Sequence, residues 1–319
     1  MPIIQYGAII KKYREELGIT QEELSEGICS VPTLSRIENG ERMPSKENLT
    51  MLLQKLGKTD LFVESFVDKN DFYLHELKYR IRQAQFNGNQ AEGRKLFEEY
   101  KHLRKDNSLS NRQFELLHEI LFFPEKTTTE EKLEKLEHLI HVSCPSFTPK
   151  SVPKLLTYEE ILLLNNIARC RELLNDREST VLIYQGILRH YDTCNVNTEE
   201  MLRTKPLILY NLANSLCAMD RFDECIRYCD EGILLARTTG RCSVLAYLLY
   251  VRGWALLLRK KGNDRAEAEK TFRQAATLAD LLCVEFVRKN ARETLKKELD
   301  TEFPLTEDLC LEWTVKDEK

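Results

Sequence analysis

Residues 18–40 read GITQEELSEGICSVPTLSRIENG, and the reading of this stretch decides the N-terminal fold. Thr20 is the N-cap of a helix, because Glu23 stands three residues on, where its carboxylate reaches back to the cap N–H. Leu24 anchors that helix to a core. A short turn from Gly27 to Cys29 leads to Ser30, the cap of a helix running through Glu38, with Pro32 in the first turn where a missing N–H costs least. Asn39 and Gly40 end it. Working outward, Gly18 stops an earlier helix in which Ile4, Ala8, Ile9, Tyr13 and Leu17 recur at helical spacing between Ile3 and Leu17. On the other side, a loop with Pro44 precedes Ser45, the cap of a helix whose apolar stripe is Leu49, Leu52, Leu53 and Leu56, closed by Gly57. Four short helices in about 60 residues make a compact bundle.

From about Asp71 onward the pattern shifts to longer helices of roughly 12 to 16 residues, parted by polar turns such as Asn87 to Asn89 and Asn263 to Asp264. No segment sustains strand alternation, so the predicted class is all-α. Pro145, Pro149 and Pro153 mark one long irregular connection, expected to join two halves of a helical array. Small residues serve as register marks, because two helices of a hairpin approach closely only where side chains are small. Three pairs emerge: Ala168 with Thr180 and Tyr184; Ala213 with Cys225, Cys229 and Gly232; Gly253 with Ala268, Phe272 and Ala275. Hairpins near 72–103 and 111–141 carry weaker marks.

The chain has 319 residues, 42 % hydrophobic and 31 % charged, the latter above the roughly 25 % of ordinary globular chains, a balance that favours long amphipathic helices. No run approaches the roughly 18 apolar residues of a membrane span, and the first turns already carry charge, so no membrane association is expected. Ten cysteines are scattered singly without CxxC spacing, which argues against a disulfide scaffold and for a reducing, cytoplasmic setting. Net charge is −4, and the first 60 residues hold eight Lys and Arg against nine Asp and Glu. Charge alone therefore does not announce a nucleic-acid binder.

Pattern does. Over residues 4–56 the chain resembles the helix-turn-helix of the phage-repressor and Xre class, with Gln21 opening the second helix, Leu24 and Leu34 in the core, and Glu38 and Gly40 closing the third. The resemblance implies that the third helix enters the major groove of double-stranded DNA and presents Ser30, Val31, Pro32, Thr33 and Arg36, while Gln21 meets a phosphate. Lys11, Lys12, Arg14, Arg42 and Lys46 are candidates for further backbone contacts. The turn GluGlyIleCysSer is one residue shorter than usual for the class. In this it resembles the Rgg, PlcR and PrgX group of peptide-pheromone regulators, which fuse such a domain to a tetratricopeptide-like one.

That resemblance implies an N-terminal helix-turn-helix bundle over residues 1–66 and a tetratricopeptide-like right-handed helical solenoid over 67–319, which senses a short signalling peptide and dimerises. The marks lie 45 and 40 residues apart where a regular repeat has about 34, so the repeats are degenerate. Taking each small residue as the eighth position of a groove-lining helix gives Asn165, Asn166 and Arg169, then Tyr210, Asn211 and Asn214, then Tyr250 and Trp254 as peptide-binding candidates. Asparagine pairs a donor with an acceptor, which matches the peptide unit. The bland alternative is that the asparagines satisfy helix ends or neighbouring loops and that Tyr210, Tyr250 and Trp254 are core. Arg169 or Arg252 is a candidate for a peptide carboxylate.

Cys225 and Cys229 stand at i and i+4 but lack a third ligand, and the six histidines are expected on exposed faces. No phosphate loop, nucleophile elbow or triad spacing appears, so neither an enzyme, a metal nor a cofactor is expected. The competing reading is a protein-interaction module whose helix-turn-helix does not read DNA sequence; DNA binding separates the two.

Overall fold

The computed structural model describes residues 6–58, 69–86, 89–104, 108–123, 127–194, 199–239 and 242–301. Ile3, Ile4, Asn87 and Cys310 lie outside them, as do the side chains of Lys46 and His75. The N-terminal bundle is α1 (Tyr6–Glu16), α2 (Gln21–Ser25), α3 (Val31–Glu38) and α4 (Lys46–Lys55). Thr20 and Glu23 close the expected capping box, Ser30 accepts from the N–H of Thr33, and Ser45 accepts from that of Asn48. Gly18 and Gly40 turn the chain with φ near +63° and +73°. Ile10, Leu24, Leu34, Ile37, Leu52 and Leu56 form the sealed core.

The phase of α1 differs from the sequence expectation. Gly7 and Ile10 are its buried residues, and Ala8 is exposed. A Cβ on Gly7 would stand 1.7 Å from the carbonyl oxygen of Ile37, so α1 meets the end of α3 backbone against backbone. The glycine face, not the alanine face, points inward because only glycine permits that approach.

Two compact units divide the chain, residues 1–201 and 202–319. In the first, the bundle is followed by α5 (Lys69–Phe86), α6 (Gln90–Leu103), α7 (Leu109–Phe122), α8 (Thr129–Ser143), α9 (Tyr158–Leu173) and α10 (Arg177–Cys194). The weaker hairpins foreseen near 72–103 and 111–141 are thus α5 with α6 and α7 with α8. Helix α9 is buried on most sides, from Tyr158 through Ile161, Leu164 and Ile167 to Cys170. It packs on α7, α8 and α10. Arg82 of α5 reaches Glu159 at its start with 2.6 Å between donor and acceptor.

Two histidines correct the expectation of exposed faces. His118 is sealed among Phe97, Phe114 and Phe122, with Nδ1 2.8 Å from the Phe114 carbonyl. His190 is equally buried, and its Nδ1 accepts the N–H of Leu156 at 3.2 Å. Burial by tertiary packing holds both rings neutral, at pKa values pushed down to about 3 and about 4. His102, His138 and His141 are exposed as foreseen.

The second unit begins within α11 (Glu199–Cys217) and continues through α12 (Phe222–Thr239), a 3-10 turn at Cys242–Val244, α13 (Leu245–Arg259), α14 (Asp264–Leu281) and α15 (Glu285–Glu298). Every register mark falls where the spacing placed it. Ala168, Thr180, Tyr184, Ala213, Cys225, Cys229, Ala268, Phe272 and Ala275 are all fully buried. A Cβ on Gly253 would stand 2.9 Å from the Phe272 ring, so the α13–α14 hairpin closes by setting a ring against a bare backbone. Among the described residues the only strand-like pairing is the isolated bridge Thr148–Ser151, in the proline-marked connection.

Candidate functional site

A single buried clasp sets the placement of α3. Arg14 donates to Glu38 through Nε at 2.6 Å and Nη2 at 2.9 Å, and through Nη1 to the Ile19 carbonyl at 2.9 Å. Gln21 Nε2 donates to the same carboxylate at 2.8 Å. Three helices meet on Glu38, whose side chain is 1 % exposed. The bond to Glu38 holds the Arg14 guanidinium above its ordinary pKa. Arg14 is therefore a structural cation and not the DNA-backbone contact that the sequence suggests: its donors are spent inside the bundle. The amide nitrogen of Gln21, assigned to a phosphate by resemblance, is likewise held by Glu38.

With Leu34, Ile37 and Glu38 turned inward, α3 shows Pro32 and Arg36 to solvent, and Val31 and Thr33 are half-buried. Ser30 is exposed and occupied as a cap, its hydroxyl 2.9 Å from that of Thr33. Lys11, Lys12 and Arg42 are exposed, Lys12 paired loosely with Glu16 at 3.8 Å. Met43 is 62 % exposed in the loop after α3. No sequence signal marked it, because an apolar residue in a loop has no periodicity.

The proline-marked connection does more than join helices. Leu155 belongs to the core of the bundle, as does Cys194 at the end of α10, whose thiol donates to the Lys55 carbonyl at 3.1 Å. Ser146 donates to Glu26 at 2.6 Å, Lys154 stands 3.7 Å from Glu23, and the Leu109 N–H meets Glu47 at 3.1 Å. The buried Lys55 ammonium donates to the Glu26 carbonyl at 2.6 Å, bracing α4 against the end of α2. These contacts fall on the α2 and α4 sides of the bundle. Within this unit they leave the outer face of α3 open.

The peptide candidates divide by unit. In the first, Asn165 is 5 % exposed, Asn166 donates its amide to the Leu162 carbonyl of its own helix at 2.8 Å, and Arg169 is exposed. Asn166 is thus satisfied within the middle of its own helix, neither at a helix end nor on a neighbouring loop. In the second, Asn214 is exposed, and Tyr210, Asn211, Tyr250 and Trp254 are half-buried. Arg252 does not offer its charge to a ligand: Nε donates to Asp230 at 2.7 Å and Nη1 to Thr271 at 3.1 Å. Tyr250 and Trp254 both set edges on the buried Phe272, at 5.8 and 5.9 Å between centroids. Tyr247 and Phe286, outside the register used for the sequence, join them: Tyr247 lies 5.4 Å from Tyr210 and 6.4 Å from Phe286.

Among the described residues no cluster of three His, Cys, Asp or Glu could hold a metal ion, and no helix is long and apolar enough to cross a membrane. The described cysteines are free.

The chain matches the family model described as helix-turn-helix over residues 10–62 and that described as RNPP family C-terminal domain over residues 122–297. No curated protein matches it. Its fold is similar to that of Bacillus thuringiensis PlcR, solved in complex with the peptide PapR7 and DNA: 20 % identity over 90 % of this chain and 98 % of that one, with a TM-score of 0.58. The competence regulator ComR of Streptococcus vestibularis is similar in its apo form, at 18 % identity over 94 % and 99 % of the two chains and a TM-score of 0.51. The same protein in complex with its cognate signalling peptide XIP matches at 17 % identity over 92 % and 97 %, again at 0.51. The helix-turn-helix precedes a family domain that spans more than half of the 319 residues, and the chain belongs to the RNPP family.

Proposed function

We propose that this protein is a cytoplasmic, sequence-specific transcriptional regulator and not an enzyme, with α3 as its DNA-reading helix and its helical domain as the receptor for a short signalling peptide. The carrying observation is the open outer face of α3, fixed from behind by the Arg14–Glu38–Gln21 clasp, in a chain that also carries the family's C-terminal domain. Arg36 is exposed on that face, where its planar fork suits a guanine edge or a phosphate; Val31, Pro32 and Thr33 shape the surface around it. Ser30 and Gln21 act chiefly by placing the helix. The functional division lies near residue 66, with the DNA reader before it and the sensor after it, although the reader packs physically on helices of the first unit.

Asn211 and Asn214 are the amides assigned to a peptide backbone, with Tyr210 on the same helix, α11, and Tyr250 and Trp254 on α13. Arg169 is the exposed cation of the set. PlcR and ComR, solved with peptides, lend the reading its ligand class. The chain acts as a homodimer, which doubles the phosphate contacts available to a nearly neutral bundle and reads two half-sites. Peptide binding shifts the placement of the readers by its differential affinity for two states.

The test is selection of genomic DNA fragments by the purified protein at about physiological salt, beside a Thr33→Ala, Arg36→Ala variant. A short two-fold symmetric site enriched by the wild type and lost by the variant is expected. Absence of any enriched sequence, with or without cell extract as a source of peptide, would favour a protein-interaction module.

A further inference from the structure

We propose that Lys154, in the proline-marked connection, is a DNA-phosphate contact supplied from outside the helix-turn-helix. This role rests on the DNA-reader reading and widens the surface that the reader presents to a duplex. In the docking geometry of the motif, the helix before the recognition helix crosses the sugar-phosphate backbone. Here that helix is α2, which carries Glu22 and Glu23 in its first turn and Glu26 as its C-cap. Carboxylates beside phosphates repel them. The bundle has few cations to offset this: of the eight Lys and Arg in the first 60 residues, Arg14 and Lys55 are engaged inside it. Lys154 brings a cation from elsewhere in the chain, its ammonium 3.7 Å from the Glu23 carboxylate.

Lys154 is held in place from both sides. Val152, two residues before it, is 8 % exposed and packs on bare backbone, because a Cβ on Gly186 would stand 2.3 Å from the Val152 Cβ. Leu155, the residue after it, is buried in the core of the bundle, and the Leu156 N–H is held by the His190 ring at 3.2 Å. Ser146 donates to Glu26 at 2.6 Å, so the connection meets α2 at Glu23 and again at Glu26. Between these anchors the backbone of Lys154 stays beside α2, and only its flexible side chain turns.

The pair with Glu23 does not use up the charge. At 3.7 Å, with the two side chains 44 % and 39 % exposed, it is a long contact in water and contributes little. Glu23 keeps its other oxygen on the Thr20 N–H, so the cap stands whether or not the ammonium moves. A duplex phosphate offers that ammonium a full charge and releases a condensed counterion. The exchange is favourable and leaves α2 intact. A compact charge on a flexible stem follows the backbone without reading bases, which is what a lysine here can do.

The experiment is titration of a labelled random-sequence duplex of about 24 base pairs with the full-length protein at about 50 to 200 mM salt, where non-specific binding reports phosphate contacts. Wild type is compared with Lys154→Ala, Lys154→Arg, Glu23→Gln and, as an exposed lysine of the second unit, Lys289→Ala. Lys154→Ala is expected to bind more weakly and to make the slope of log affinity against log salt shallower by about 0.9, the change for one phosphate, with Lys154→Arg and Lys289→Ala at the wild-type slope. Glu23→Gln keeps the capping box and removes the anion, so it should bind as tightly as wild type or more tightly. If Lys154 only braces the connection on α2, Lys154→Ala and Glu23→Gln lose the same pair and their binding changes alike. That result overturns the proposal, as does a Lys154→Ala slope equal to wild type or a Lys289→Ala slope that shifts by the same amount, and each leaves the DNA reader standing. A wild type that binds no duplex even at about 50 mM salt overturns both readings.

Discussion

Glu38 and Arg36 lie two positions apart on α3, and the structure gives them opposite work. Glu38 accepts from Arg14 twice and from Gln21 once, out of contact with water. Removing it leaves a guanidinium, only 12 % exposed, without its partner. Glu38→Ala is expected to lower unfolding free energy by about 3 kcal/mol, in line with other buried pairs that lose one member. Arg36 is exposed, and Arg36→Ala should change stability by no more than about 0.5 kcal/mol. Its effect belongs to DNA binding: a loss of about 1 to 3 kcal/mol confined to one base position if it reads guanine, or a salt slope smaller by about one if it holds phosphate. Urea unfolding together with binding titrations over a range of salt separates the two residues. Equal stability losses would show that α3 is not positioned by the clasp.

At the scale of elements, the turn between α2 and α3 is where the reader meets the rest of its unit. Gly27 has φ near +72°, and a Cβ there would stand 1.7 Å from the Ser143 carbonyl oxygen at the end of α8. Gly40, after α3, has nearly the same φ, +73°, but open space around it. Gly40→Ala should therefore cost about 1 to 2 kcal/mol, the strain of a left-handed alanine. Gly27→Ala adds a clash with backbone that cannot rotate away, so its melting temperature should fall clearly further; matching melting curves for the two variants would remove the α2–α8 contact from the account. The same contrast explains what was legible in the sequence. Caps, helix stops and register marks depend on near neighbours in the chain, so Thr20, Ser30, Ser45 and the small residues from Ala168 to Ala275 could be placed from spacing. The roles of Gly7 and Gly27 depend on which distant carbonyl they approach, and Arg14 looked like any surface cation until Glu38 was placed against it. Tyr247 and Phe286 escaped because the register counted a few positions from one small residue in each of three helices, and neither residue falls on those positions. Phe286 belongs to a helix without a second mark to pair with.

For the molecule as a whole, acid stability depends in part on two rings that no local pattern marked as buried. His118 and His190 both lie in the first unit, one among phenylalanines and one under Leu156 beside the reader's core. Burial is the main cause of their low pKa values, about 3 and about 4, and nearby positive charge from Arg82, Lys78 and Lys55 pushes the same way. In the unfolded chain each ring takes up a proton near pH 6.5, while the folded ring does not until about pH 4 or below. The unfolded state therefore binds more protons through that window, and stability must fall as pH drops from about 6.5 towards 4. At pH 5 the loss is about 2 kcal/mol per ring, before any contribution from carboxylates. His118→Phe keeps an aromatic among aromatics, and His190→Gln keeps an acceptor for the Leu156 N–H, so the double variant is expected to fold. Urea unfolding at pH 7.5 and pH 5.0 should show the drop between the two shrinking by about 4 kcal/mol relative to wild type. An unchanged drop would mean that both rings are already protonated or solvated in the folded protein, contrary to their sealed positions.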